Sequence, residues 1–163
     1  MAMLSKKKKS PVHVVWLKRD LRVADHRPLS LAAAHGPVLP LVVIEPDWWR
    51  QPDMSARQYN FYRECVLELS DDLAALGQPL VVRVGDVVRA LKSINREVGI
   101  AALWSHEETG NGWTFRRDVK VADWCRQSGI IWNELCQNGV IRRLKSRDGW
   151  ARNWNAFMAE PIT

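Results

Sequence analysis

Short apolar runs alternate along this chain with longer segments of helical spacing. The runs are rich in branched residues, as is typical of buried strands. They lie at Val12 to Leu17, Val38 to Ile44, Leu80 to Val84, Ala101 to Trp104 and Ile130 to Trp132. Strands that alternate with helices connect by right-handed crossovers and pair in parallel. The pattern therefore predicts an α/β fold: a doubly wound, Rossmann-like five-stranded parallel sheet with helices on both faces.

Residues that start and end helices stand between these runs. Each helical segment is followed by a glycine suited to a left-handed cap, namely Gly36, Gly77, Gly99 and Gly129. Pro28 suits a first helical turn, Ser55 with Gln58 forms a capping box, and Asp86 is placed as a cap. These local signals agree with the strand pattern and support the same fold.

Two of the predicted helices have informative faces. In the helix after the second strand, a stripe is predicted to lie against the sheet: Phe61, Cys65, Leu69, Leu73 and Leu76. In the helix from Asn111 to Arg126, Phe115, Val119 and Ala122 share one side, whereas Trp113, Arg117, Lys120 and Trp124 share nearly the opposite side. Two interpretations of that second side stay open: basic stems lying on two surface indoles, or a contact surface for another domain.

Charge is distributed unevenly over the 163 residues. The net charge is +6, and Lys6 to Lys9 supply four of these charges. The segment from Arg142 to Arg152 is also basic, so we expect any basic face to be carboxyl-terminal. We interpret residues 1–10 as a disordered basic tail and 11–136 as one α/β domain. Residues 137–163 are interpreted as an extension or the start of a linker.

Cysteine usage and hydropathy exclude several classes of protein. Cys65, Cys125 and Cys136 are odd in number and lack Cys-x-x-Cys spacing, which disfavours a disulfide framework and a structural zinc site. A reducing cytoplasm is the expected location. No apolar segment approaches the roughly 20 residues that cross a bilayer, so no membrane partner is expected.

Polar and aromatic residues gather where the predicted strands end. Arg19, Asp20 and Arg22 follow the first strand, Glu45 and Trp48 follow the second, and His106, Glu107, Glu108 and Asn111 follow the fourth. In an open α/β sheet, ligands bind outside the carboxyl ends of the strands. No glycine-rich phosphate loop follows the first strand, so ordinary dinucleotide binding is disfavoured. Such a rim suits a planar heteroaromatic ligand instead, while the alternative is that Arg19 and Asp20 simply pair and pin the loop.

The segment from His106 to Glu108 also allows a metal or acid–base interpretation. Consecutive residues after a strand point in different directions, which disfavours both roles. A capping role for Glu107 or Glu108 at the following helix is favoured. His13 and His35 are interpreted as structural, and His26 as a cap.

Three stretches carry a resemblance to a known family. They are WLKRDLRVADHRPL from Trp16, SHEETGNGWTFRRD from Ser105 and QNGVIRRLKSRDGWARNW from Gln137. Together they resemble the amino-terminal α/β domain of DNA photolyases and cryptochromes. The resemblance implies a domain that holds an antenna chromophore: a folate, a deazaflavin or a flavin. The residues around Asn111 lack the repeated glutamates of the folate-type pattern, which puts folate in doubt.

The resemblance also implies partners beyond this chain. Relatives continue past the position of Thr163 into a helical domain that binds flavin adenine dinucleotide (FAD) and acts as a deoxyribodipyrimidine photolyase on damaged DNA. This chain is expected to lack that domain, so no catalytic residue is assigned to it. The predicted function is light harvesting for photorepair or blue-light sensing.

Two rival interpretations follow from the same residues. One is a Rossmann-like nucleotide-binding or interaction module that docks a partner through Trp113, Trp124 and Trp150. The other is autonomous DNA binding through Lys6 to Lys9 and the segment from Arg142 to Arg152.

Overall fold

The computed structural model describes residues 10–142 and 144–163, and the predicted basic tail lies almost wholly outside them. Along the chain the elements are β1 (Val12–Leu17), α1 (Arg27–His35), β2 (Val38–Ile44), α2 (Pro46–Trp49), α3 (Ala56–Ala75), β3 (Val81–Val84), α4 (Val87–Val98), β4 (Ile100–His106), α5 (Gly112–Ser128), β5 (Ile131–Leu135) and α6 (Trp150–Met158). Within the described residues, no helix combines the length and the hydropathy needed to cross a bilayer.

All strand pairs are parallel, and the strand order is β3-β2-β1-β4-β5. The predicted five-stranded, doubly wound sheet is therefore confirmed. The order reverses between β1 and β4, and such a switch point opens a crevice at the carboxyl ends of the strands.

Alternate residues of the central strands enter two separate cores. Val14 and Trp16 of β1 pack with Leu91 of α4 and Val121 of α5 on one face. Val15 and Leu17 pack on the other face with α1 and α3. Because side chains of a strand alternate between faces, a continuous apolar run in β1 serves both cores.

The predicted stripe on α3 is rotated in the structure. Phe61 and Leu76 are 67% and 68% exposed, and the buried residues of α3 are Tyr62, Val66, Leu69 and Leu73. The spacing of four residues drifts around a helix of 3.6 residues per turn, so a stripe read at that spacing leaves the core at its ends. Two of the predicted left-handed caps are also corrected: Gly36 (φ 158°, ψ −162°) and Gly99 (φ 77°, ψ 137°) do not have the left-handed helical conformation, whereas Gly129 does (φ 67°, ψ 22°).

The rotated face of α3 gives a stability prediction. Leu69 is 1% exposed and Leu67, two residues earlier on the same helix, is 61% exposed. We expect Leu69→Ala to lower the free energy of unfolding by about 2–5 kcal/mol, because it leaves a cavity against the sheet. Leu67→Ala is the matched control and is expected to change it by less than about 0.5 kcal/mol. Urea unfolding of both variants measures the difference, and equal losses would contradict this placement of α3.

Candidate functional site

The side chain of Asp20 lies in the crevice between β1 and β4 and lines a small cavity of about 100 Å³ there. Its carboxylate accepts hydrogen bonds from the backbone N–H of Lys18 (2.9 Å), from His26 Nε2 (2.8 Å) and from His106 Nδ1 (2.7 Å). Asp20 is 3% exposed and His26 is fully buried. Burial alone raises the pKa of Asp20, but the hydrogen bonds from His106 and His26 outweigh it and hold that pKa well below its usual range. The carboxylate is therefore ionised, and both of its oxygens accept hydrogen bonds within the protein.

Hydrogen bonding, rather than metal ligation, accounts for the arrangement of Asp20, His26 and His106. Their ligating atoms lie within 4.8 Å of one another. His26 Nδ1, however, accepts the backbone N–H of Leu29 (3.2 Å), so the proton of His26 sits on Nε2 and is donated to Asp20. A ring with both nitrogens engaged in this way has no lone pair left for a cation. His26 thus caps the helix as predicted, and it also donates a hydrogen bond to Asp20.

A buried ionic cluster lies beside this crevice and centres on Arg117 of α5. Arg117 Nη1 lies 3.1 Å from Glu45 Oε2, and Nη2 lies 2.8 Å from Asp118 Oδ1 and contacts Glu108 Oε2. Lys18 Nζ reaches Asp118 Oδ2 (3.1 Å). The cluster, defined as Lys18, Arg19, Glu45, Glu108, Arg117 and Asp118, joins the ends of β1, β2 and β4 to α5.

Burial perturbs the titration of this ionic cluster. It raises the pKa of Glu45 to about 7, although the Arg117 guanidinium opposes that rise. Burial alone lowers the pKa of Arg117, but the carboxylates around it, Glu108 first, raise it above its usual range. Arg117 therefore stays charged at every pH of interest, and Glu45 is the group of this pair that titrates near neutrality.

Indole rings cover the cations of the ionic cluster. Lys18 Nζ lies 4.6 Å from the ring centroid of Trp16 and 5.2 Å from that of Trp132, and Arg117 Cζ lies 4.7 Å from that of Trp16. Cations over aromatic faces at these distances are attracted by the ring quadrupole. Part of the unusual tryptophan content, nine in all, thus serves to bury charge.

Arg19 and Arg22 leave the loop after β1 in different directions. Arg19 Nε lies 2.9 Å from Glu108 Oε1, so the alternative that Arg19 pairs with Asp20 is wrong. Arg22 donates to the backbone oxygen of Asp25 (3.0 Å) and lines a cavity of about 360 Å³ that reaches Cys136 and the segment after α6.

Beside Arg19 the structure has an aromatic groove. Its cavity of about 250 Å³ is lined by Arg19, Leu21, Trp48, Trp49, Met54, Gln58, Phe61, Tyr62 and Cys65. The guanidinium of Arg19 lies 4.9 Å above the ring centroid of Trp48. Within the described residues, the buried Nε1 atoms of Trp48 and Trp49, which both belong to this lining, have no hydrogen-bond acceptor. Buried polar atoms without partners are costly, so these two donors need a physical explanation.

A second, wider cavity of about 650 Å³ lies on the other side of α5. It contains Glu107, Glu108 and Asn111 together with Phe115, Trp132 and Arg142. Asn111 caps α5 through Oδ1, which accepts from the backbone N–H groups of Trp113 (3.0 Å) and Thr114 (3.1 Å). The expected capping by Glu107 or Glu108 is therefore wrong: Glu108 binds Arg117, and Glu107 lies 2.9 Å from Arg142.

The side of α5 proposed for docking is largely buried. Trp124 and Arg117 are 6% and 7% exposed and Trp113 is half-buried, although Lys120 is exposed; on the opposite side Phe115 and Val119 are 59% and 44% exposed. The burial of Trp124 removes much of the support for docking through Trp113 and Trp124. The carboxyl-terminal basic segment is also weakened, because Arg142 is neutralised by Glu107 and by Glu134 (2.9 Å).

The sequence reasoning missed the central residue of the site. Arg117 and Asp118 close the stretch SHEETGNGWTFRRD, but the sequence pattern places Arg117 on a helix face and assigns Asp118 no role. An adjacent Arg–Asp pair nearly two helical turns beyond Asn111 was the available signal. Tyr62, which lines the aromatic groove with its ring 5.0 Å from that of Trp49, carried no such signal.

The pKa of Glu45 gives a prediction about stability and pH. Because the pKa is raised in the folded state from 4.5 to about 7, the native chain binds more protons than the unfolded chain between these values. The contribution of Glu45 to stability is thus complete below pH 4.5 and falls by about 3 kcal/mol as the pH rises to about 7. We expect Glu45→Gln to remove this loss, as measured by urea unfolding at several pH values. Glu64→Gln, at an exposed position of α3, is the control, and parallel curves for wild type and Glu45→Gln would contradict the assignment.

Comparisons with known proteins agree with this architecture. The family model for DNA photolyase matches residues 13–146. Cryptochrome DASH, chloroplastic/mitochondrial, of Arabidopsis thaliana is 28% identical over 111 residues, which are 64% of this chain and 20% of that protein. Because that relative is chloroplastic or mitochondrial by name, the expected cytoplasmic location stays a prediction.

Solved structures show the same fold. The class III photolyase of Agrobacterium tumefaciens has a TM-score of 0.75 and 22% identity, over 98% of this chain and 34% of that one. The photolyase of Sulfolobus tokodaii, described with two FAD molecules and the implication of a novel light-harvesting cofactor, has a TM-score of 0.71 and 21% identity, over 92% of this chain and 35% of that one. The chain spans about a fifth of the length of the curated relatives that match it first. With the family model covering most of its residues, the chain belongs to the DNA photolyase family, which includes the cryptochromes.

Proposed function

We propose that this chain is an antenna domain that holds a flat chromophore in the aromatic groove beside Arg19. The observation that carries the proposal is a pair of buried indole N–H donors in the lining of the groove, those of Trp48 and Trp49, which have no acceptor within the described residues. A ligand with ring carbonyl oxygens supplies the missing acceptors. Of the nine residues predicted from sequence to bind a cofactor, this proposal retains Arg19 and Trp48, which line the groove.

The size and walls of the aromatic groove fit a ring system. A volume of about 250 Å³ is just below the roughly 300–1,000 Å³ usual for small-molecule sites, so it suits a tricyclic ring better than a whole dinucleotide. Trp48 and Trp49 lie with ring centroids 4.4 Å apart, and Tyr62 meets Trp48 edge-on at 5.9 Å. These rings offer stacking surfaces, and the Arg19 guanidinium offers a planar cation.

The donor and acceptor pattern favours a flavin or a deazaflavin over a folate. Both of those rings carry an imide edge with two carbonyl oxygens, which offers one acceptor to each of the two indole N–H donors. The residues around Asn111 lack the repeated glutamates of the folate-type pattern. Asn111 itself caps α5 and donates to both carboxylate oxygens of Asp53 (2.9 and 3.0 Å). The light-harvesting cofactor implied for the Sulfolobus tokodaii photolyase, described with two FAD molecules, is consistent with a flavin.

In this proposal each residue has a defined task. The bound ring supplies absorption of near-ultraviolet or blue light. Trp48 and Trp49 orient it through their N–H groups, and Arg19, whose Nε lies 2.9 Å from Glu108 Oε1, places its guanidinium beside the ring. The ionic cluster fixes Glu108 through Arg117, so Arg19 is positioned before the ligand arrives.

The remaining functional assignments also stay proposals. We infer that the parent protein continues into a helical domain that holds FAD, receives the excitation and acts on damaged DNA or signals. The second and larger cavity beside Glu107 and Asn111 is a candidate surface for that domain.

Ligand binding to the full chain tests the proposal. Riboflavin, a deazaflavin and a reduced folate are added in turn, and saturable binding is measured by quenching of ligand fluorescence and retention through gel filtration. We expect riboflavin or the deazaflavin to bind. Trp48→Phe combined with Trp49→Phe keeps the aromatic walls but removes both donors, so we expect an affinity about 10- to 100-fold lower.

Trp150→Phe is the matched control, because Trp150 lies on α6, away from the aromatic groove, and is 44% exposed. It is expected to leave the affinity unchanged. Absence of saturable binding by all three ligands, or equal affinity of the double variant and wild type, would overturn the proposal.

A further inference from the structure

Charge is segregated between the two helix layers that cover the sheet. In the layer of the first core, α4 carries three cations and one carboxylate, and α5 carries four cations and two carboxylates. In the opposite layer, α3 carries two arginines and four carboxylates, and α1 adds one arginine. One face of the domain is thus basic and the other slightly acidic, an asymmetry that the overall composition conceals.

The basic layer contains a groove between α4 and α5. Arg89, Lys92, Asn95 and Arg96 of α4 and Trp124 of α5 line a cavity of about 460 Å³. The three cations are exposed and are spaced three and four residues apart, so they share one face of α4 and span about 10 Å along its axis. On α5, Lys120 stands one turn before Trp124 and adds a fourth positive charge on that side.

The cations of this groove are not neutralised. Among residues 10–142 and 144–163, Glu97 pairs with Arg83 (3.9 Å) and Asp123 with Arg126 (3.0 Å), while Arg89, Lys92 and Arg96 have no carboxylate within salt-bridge distance. Asn95 uses its Oδ1 to accept the backbone N–H of Ile100 (2.9 Å), which leaves its NH₂ group as a donor toward the groove. The groove therefore presents donors and positive charge together.

We propose that the groove between α4 and α5 binds the phosphate backbone of a nucleic acid. Guanidinium and ammonium groups with an amide donor match phosphate oxygens in charge and hydrogen bonding. Their span of about 10 Å corresponds to roughly three nucleotides of a duplex strand, at about 3.4 Å each. In this proposal the contacts are made to phosphate oxygens, which carry no sequence information, so we expect the binding to be independent of sequence.

Other polyanions fit this surface less well. Binding to an anionic membrane requires apolar side chains next to the charges, but the apolar residues of α4 all pack into or against the first core. An acidic protein partner needs aromatic anchors that become buried on contact, and the single indole of the groove is already only 6% exposed. This site is also separate from the aromatic groove, which is lined from the α2 and α3 side.

A charge-matched comparison in the full chain tests the proposal. Arg89, Lys92 and Arg96 are all replaced by Gln in the groove variant, and Arg57, Arg63 and Lys145 in the control variant. Both variants lose three positive charges from exposed positions, and both keep Lys6 to Lys9. Binding of labelled 20-nucleotide single strands and duplexes is measured by fluorescence anisotropy over a range of salt concentrations, and circular dichroism checks the fold.

We expect the groove variant to bind at least about 10-fold more weakly than wild type at 50 mM salt. Its slope of log affinity against log salt should fall by about 2 to 3, because each lost phosphate contact removes about 0.7 to 0.9. The control variant should lose less than about 3-fold, with a slope change below about 1. Poly-glutamate and tripolyphosphate, added as competitors at equal charge, should displace the nucleic acid poorly.

Three results would overturn the proposal. The first is no salt-dependent binding by wild type, and the second is an equal loss in the two variants, which indicates general charge or the lysine-rich segment. The third is displacement by poly-glutamate or tripolyphosphate as effective as by unlabelled nucleic acid, which indicates an acidic protein or a small phosphate ligand.

Discussion

The burial of one guanidinium, that of Arg117, determines how the carboxyl edge of this sheet is built. A buried cation is costly unless carboxylates lie at hydrogen-bonding distance. Glu45 supplies one from the end of β2, Glu108 supplies one after β4, and Asp118 supplies one from α5 itself. Because no two of these come from the same element, pairing the guanidinium fixes β2, β4 and α5 relative to one another.

The switch-point crevice has no room for a nucleotide, because the side chains around it leave a cavity of only about 100 Å³. In the usual doubly wound domain a glycine-rich turn after β1 leaves room for pyrophosphate at a helix amino terminus. Here Asp20 occupies the crevice and holds His26 and His106 on either side of it, with imidazole centroids 4.5 Å apart. Ligand space is displaced to the flanks, where the aromatic groove lies on one side and the wider cavity on the other.

The sequence predicted the architecture well because the determining signals were local. Branched apolar runs located all five strands, and Pro28, Ser55 and Asp86 marked helix starts that the structure confirms: Ser55 Oγ accepts from Gln58 N–H (3.3 Å) and Asp86 Oδ1 from Arg89 N–H (2.9 Å). The helix faces were predicted less well. Trp124 and Arg117 are hidden and Phe115 is exposed because a large ring and a fully paired cation outcompeted smaller apolar side chains for the core, and this depends on partners far away in sequence.

The sequence predicted which residues lie at the candidate site but not which of them pair with one another. Arg19, Asp20, Glu45 and Glu108 all lie at the strand ends as expected, yet the pairings Arg19–Glu108 and Asp20–His106 join residues 89 and 86 positions apart in the numbering of this sequence. Sequence spacing carries no information about which of several nearby carboxylates a cation selects. That choice depends on the parallel register of β1 with β4, which the order of the strands sets.

The sheet separates two helix layers that differ in net charge. The sheet and its two cores lie between the helix layers. Therefore α3 carries an acidic outer surface while α4 and α5 carry a basic one. The α4–α5 face therefore attracts a polyanion more strongly than the α3 face does, since α3 bears four carboxylates against two arginines. The aromatic groove has a single charged residue, Arg19, in its lining, so the charge distribution is consistent with the proposed planar ring on one side and the proposed phosphate backbone on the other.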